Sequence, residues 1–337
     1  MGRDFMPSKQ YSISLTRLVS LCFIIACHMM QYLNIELAWW FNVGVQIFLC
    51  ISGYLYGQKT VGSIPEFYCK RLRKIYIPYL LTVLPYGLLV FLFARDGFEW
   101  NTFIYGLFAK ATLKGAEHLW FIAYILMCYL ITPILEAFRD RYMKSRKSMW
   151  IFAICSVCIT ALCFGILIGN FNPIWIICYV IGYSFGANER GGYIRREVLV
   201  RLFTALSLVF NGIQIYLNYI LRINLSGRLQ TIYTQYCNCS HVLLGASLFL
   251  MMLFIFERMQ FGDSLKKFLD QCDHYSYEIY LVHQLVILGP FSLMALTPVL
   301  TVNIILILVV IAVLAIVLDL LSNRVNRLLT KICFRRV

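Results

Sequence analysis

Charged side chains are scarce in this chain: Asp, Glu, Lys and Arg make up 14% of its 337 residues, against roughly 25% in an average soluble domain. That scarcity excludes a water-solvated globule, and the 61% hydrophobic content points to lipid as the main solvent. The chain also lacks a small-residue cleavage site followed by a soluble domain, so the first apolar stretch does not read as a removable signal peptide. It has no soluble insertion beyond a short loop, no low-complexity run and no convincing internal repeat. What it has instead is a succession of apolar stretches of about 20 residues, the length an α-helix needs to cross the hydrocarbon. Backbone groups in lipid must be satisfied within their own segment, so these stretches predict helices.

The expectation is an all-α polytopic transmembrane helix bundle, a single domain over residues 1–337. Ten spans are expected, over residues 14–34, 39–58, 75–94, 118–138, 149–169, 173–188, 202–221, 240–257, 275–296 and 299–321. With the N-terminus cytoplasmic, the inner segments hold 24 of the 30 Lys and Arg residues and the outer loops five, with Arg17 inside the first span. That asymmetry predicts both termini in the cytoplasm. The net charge of +14 then reads as a topology signal and an attraction to anionic headgroups, not as a nucleic-acid surface. Most of the 13 cysteines fall within spans as small hydrophobes, Cys155 and Cys158 included, and no cluster has metal-ligand spacing.

Where charge does enter the apolar stretches, it asks for an explanation. In "LTRLVSLCFIIACHMM" Arg17 and His28 are eleven positions apart, three helical turns plus about 20°, so they share one face. Each ionisable group at mid-membrane costs roughly 2.5–3.5 kcal/mol on insertion scales. Arg17 can snorkel to the headgroups and His28 can bond a neighbouring helix, or the two can belong to a polar track through the bundle. Gln46 lies four residues after Asn42 on one face of the second span, and Glu117, His118 and Trp120 open the fourth at its outer surface. His283 sits in the ninth, "YSYEIYLVHQLVI", where a lone histidine reads first as structural. Lys70, Arg71, Arg73 and Lys74, in the inner loop "FYCKRLRKIYIPYL", fit either lipid contact or a polyanionic metabolite, since guanidinium forks grip phosphates bidentately.

These residues resemble the acyltransferase-3 family of integral membrane O-acyltransferases. The arginine, ten residues and a histidine of the first span look like its signature. "GVQIFLCISGYLYG", "KRLRKIYIPYL", "HLWFIAYILMCYLITPIL" and "YSYEIYLVH" are similar to its later segments, in family order over residues 12–320. Two departures stand out: no aspartate precedes Arg17, and Gln46 stands where many members have an acid. The resemblance implies transfer of an acyl group, usually acetyl, from cytoplasmic acetyl-CoA to a hydroxyl of a cell-envelope polysaccharide or lipid-linked sugar, in a bacterial inner membrane and without metal. It implies His28 as the base or the acyl-carrying nucleophile, with Arg17 binding donor phosphate or stabilising charge. Arg71, Arg73 and Lys74 would take the coenzyme, and Gln46, His118, Trp120 and His283 the acceptor side. The competing class is a transporter or flippase for a lipid-linked sugar or polysaccharide, for which paired broken helices in an inverted repeat would be the mark. A scaffold subunit is a third, in which Arg17 and His28 would be dispensable.

Overall fold

A computed structural model describes residues 10–163 and 172–334. Arg3, Lys9, Arg335, Arg336 and the far end of the fifth expected span (164–169) lie outside the described residues. Its regular structure is all helical, with no strand among those residues. In order the helices are α1 (Tyr11–Tyr32), α2 (Ala38–Phe41), α3 (Val43–Gly57), α4 (Ile64–Phe93), α5 (Trp100–Leu107) and α6 (Phe121–Tyr142). They continue with α7 (Arg146–Leu162), α8 (Pro173–Gly191), α9 (Arg196–Ile215), α10 (Gly227–Phe256), α11 (Asp263–Ile287) and α12 (Leu300–Phe334). The short α2 runs into α3, so these form ten long helices matching the ten expected segments in order. Seven of them are long and apolar enough to cross a membrane. α7, α8 and α11 fall short of that measure, and α11 does so through the charges in its first half, Asp263, Lys266, Lys267, Asp270 and Asp273.

Several helix ends differ from the sequence expectation: α10 starts at Gly227, thirteen residues before its expected span, and α12 runs to Phe334, thirteen residues past its own. The basic run is not a loop: α4 begins eleven residues before the expected span, with Pro65 in its first turn, and carries Lys70 to Lys74 as helix. Lys, Arg and Leu are good helix formers, and proline is tolerated where the amide has no intrahelical acceptor. Similarly, α11 starts at Asp263 and not near Tyr275. Between α4 and α6 the chain folds back as the short α5, whose last carbonyls, Gly106 and Leu107, are held by the hydroxyls of Tyr79 and Tyr76.

The tightest seam joins α3 to α8. Gly53 and Gly57 on α3 meet Gly182 and Gly186 on α8, and a Cβ on any of the four would collide with the opposite backbone. Each pair is four residues apart on its helix, so reciprocal small-xxx-small stripes let the backbones touch. α11 lies between α1, α12 and α4. Since α1 and α11 pack along their length, residues far apart in sequence meet at both ends: Arg17 with Asp273, and His28 with His283.

Candidate active site

At one end of the α1–α11 contact three histidines converge from three elements. His28 comes from α1, His118 from a 3₁₀ turn, Glu117–Trp120, that leads into α6, and His283 from α11. Ring centroids are 4.8 Å apart for His118 and His283, 5.1 Å for His28 and His283, and 6.3 Å for His28 and His118. His118 and His283 are buried and His28 is half-buried. His118, expected at the outer edge of its span, is buried against α11, with Tyr280 donating to the His118 carbonyl at 2.5 Å. His283, read as a lone histidine in the sequence, has His28 and His118 beside it.

Each ring has one nitrogen tied to an oxygen. His28 Nδ1 lies 2.7 Å from Gln31 Oε1, His118 Nε2 lies 3.1 Å from the Leu281 carbonyl, and His283 Nδ1 lies 2.7 Å from the Tyr280 carbonyl. An oxygen of that kind accepts, so in the neutral ring the tied nitrogen is the one that carries hydrogen and the other holds the lone pair. His118 Nδ1 and His283 Nε2 are buried with no partner. The sequence reading missed Gln284, which fixes this arrangement: its amide nitrogen donates to Glu117 at 2.6 Å and its oxygen accepts from the His118 amide at 3.1 Å. Its only signal was adjacency to His283. Among the described residues no group of three or more His, Cys, Asp or Glu is arranged to hold a metal ion.

Arg17 stands about 16 Å from His28 along the α1 axis, at helical rise. Its guanidinium binds Asp273 of α11, which also accepts from Ser14 at 2.8 Å. The aspartate missing before Arg17 in sequence is thus matched by one from another helix. Sequence inspection could not find that partner, since the two are 256 positions apart. Arg17 and Asp273 line a cavity of about 370 Å³ with Arg71, Lys74, Ser52 and Tyr129. Arg71 stacks over Tyr56 and Tyr129, 5.1 and 5.8 Å from their ring centroids, and its Nε is buried without a partner. Phe121 ends this cavity toward the histidines; its ring is 5.0 Å from that of Tyr280, which in turn contacts His118 and His283.

A family model described as an acyltransferase domain matches residues 10–320, nearly the whole chain. The protein belongs to the acyltransferase-3 family. No curated protein and no solved structure gives a match. Membership makes it an integral membrane acyltransferase and assigns a class of chemistry to the bundle.

Not every sequence candidate of this acyltransferase joins the two centres. Arg73 does not share the Arg17 cavity with Arg71; two residues along a helix face nearly opposite ways, and Arg73 lines a recess toward α12. Gln46 is buried against Gly245 of α10, and its amide nitrogen donates to the carbonyls of Asn42 at 2.9 Å and Val43 at 3.3 Å on its own helix. It is a packing residue in this arrangement. Trp120 points away from its neighbour His118 into an aromatic group with Trp175 and Tyr124, at 4.7 and 5.1 Å between centroids. His241 of α10, unnoticed in the sequence, is the remaining buried histidine; it packs on Trp39 at 4.8 Å and is not part of the cluster.

Proposed function

We propose that this acyltransferase moves an acyl group, acetyl in the simplest case, from cytoplasmic acyl-CoA to a hydroxyl of a cell-envelope polysaccharide or its lipid-linked precursor in a bacterial inner membrane. One observation carries the reading: a cationic cavity and a cluster of imidazoles lie along one helix, parted by the Phe121–Tyr280 aromatic layer. A polyanionic thioester donor suits the first and a hydroxyl needing deprotonation suits the second. The fit to the donor rests on Arg17, Arg71 and Lys74, which line one cavity and offer guanidinium and ammonium groups to phosphate.

His28 is the base in this mechanism. With Nδ1 held by Gln31, Nε2 has the lone pair that takes the acceptor's hydroxyl proton. The freed oxygen bonds to the thioester carbon, the carbon–sulfur bond breaks, and His28 returns its proton to the leaving thiolate. His118 and His283 lie close enough to orient the acceptor or to steady the His28 cation. Arg17, about 16 Å away at helical rise, is given donor binding and not charge stabilisation at the reacting carbon. That narrows the two roles which the sequence left open for it.

The deciding test is the ester content of surface glycan in a strain lacking this protein, complemented with wild type or His28→Ala at equal membrane levels. Wild type should restore the ester, and His28→Ala should leave glycan at the surface with at most about 1% of the esters, since a positioned base contributes 10²–10⁴-fold. Loss of the glycan itself, with no ester difference, would replace this reading with transport.

A further inference from the structure

Behind the α4–α11 seam, away from Arg17, lies a second and larger cavity of about 620 Å³. α4 supplies one wall with Lys70, Arg73 and Lys74, and the C-terminal half of α12 supplies the other with Asp319, Ser322 and Asn323. Positive charge therefore faces a wall of hydroxyl, amide and carboxylate. His274 engages Asp319 at 3.3 Å. Two oxygens on this cavity are buried with no hydrogen-bond partner, Ser322 Oγ and Glu278 Oε2, in residues only 4% and 8% exposed. Buried polar atoms are ordinarily paired, so both point to a ligand that supplies hydrogen bonds.

The two cavities are not independent. Lys74, His274 and Glu278 line both, so a group in one is a side chain's width from a group in the other. The volume is in the range of pockets that enclose small ligands. A simple polyanion would suit the α4 wall and be repelled by Glu278 and Asp319. A nucleotide satisfies both walls, with phosphates for Lys70 and Arg73 and amino and hydroxyl donors for Glu278, Ser322 and Asn323.

We propose that this α4–α11–α12 cavity is the subsite for the adenosine 3′-phosphate end of the acyl donor, leaving the Arg17 cavity for the donor's diphosphate and the thin arm beyond it. The inference rests on the acyl-CoA reading above and adds α12 to the donor site. It also gives Arg73 a place apart from Arg71: one on the adenosine 3′-phosphate end, the other on the diphosphate.

The probe is adenosine 3′,5′-bisphosphate, which has the nucleotide end and no arm, added to the full-length protein in phosphatidylcholine nanodiscs. It should raise the unfolding temperature of wild type and leave Ser322→Ala/Asn323→Ala and Arg73→Ala unmoved. In the same variants, the KM preference for acetyl-CoA over acetyl-pantetheine should fall about tenfold, as expected for losing one or two hydrogen bonds to a ligand. The subsite is overturned if wild type uses acetyl-CoA but nucleotide protection and the KM ratio are unchanged in both variants. It is likewise overturned if phosphatidylethanolamine, and not the nucleotide, protects wild type in a way these variants lose, which makes the cavity a lipid headgroup site. Wild type showing neither transfer from acetyl-CoA nor nucleotide protection would bring down the donor reading along with it.

Discussion

Arg17 and Asp273 illustrate what a single ion pair does inside an apolar bundle. Their side chains are 19% and 13% exposed, so neither charge is well solvated without the other. Removing one partner of such a buried pair typically costs about 3–5 kcal/mol, because the survivor is left uncompensated. Asp273→Ala should therefore lower the unfolding temperature in detergent more than the double change Arg17→Ala/Asp273→Ala does. A double-mutant cycle reading of zero coupling would show that the pair is solvated after all. At this scale the sequence was partly legible. The shared face of Arg17 and His28 followed from helical periodicity alone. Their partners did not, since Asp273, His118, His283 and Gln284 are brought in by the packing of α11 and the turn before α6.

Among the elements, α3 and α8 are set by what they omit. Gly53, Gly57, Gly182 and Gly186 allow backbone contact that any side chain would block. Gly53→Val should cost at least about 3 kcal/mol by overpacking and yield protein that aggregates on extraction. Gly212 of α9, with open space around it, is the control. Gly212→Ala should be neutral or stabilising by up to about 1 kcal/mol, through helix propensity. Equal unfolding temperatures for both variants would refute the seam argument. In the sequence, "GYLYG" and "GYSFG" showed small residues four apart, but nothing there said that one stripe faces the other. The start of α4 was misplaced for a related reason. Hydropathy finds the apolar part of a helix, whereas its polar first turns depend on propensity and on proline at the N-terminus.

For the molecule as a whole, charge distribution is the controlling pattern. The segments expected on the inner side hold 24 of the 30 basic residues, which predicts that both chain termini face the cytoplasm. Tags at the N- and C-termini should thus resist protease in intact cells and be cleaved only after permeabilisation. Cleavage of either tag in intact cells would reverse or break this topology. That orientation would put the Arg17 cavity on the cytoplasmic side, where the proposed donor is made, and the histidines toward the far side.

The sequence by itself determined the class of solvent, the order of the helical segments, the family and the shared helix face of Arg17 and His28, because hydropathy, periodicity and motif spacing are local along the chain. Only the tertiary structure decided which helices touch, and so which histidines meet, which arginine shares a cavity with Arg17, and that Gln46 and Trp120 turn away to pack. The physical reason lies in lipid. Hydrophobicity drives helices into the membrane but does not distinguish between apolar neighbours, so association falls to close packing and a few buried polar pairs. Those contacts join residues up to 259 positions apart, beyond the reach of any local pattern.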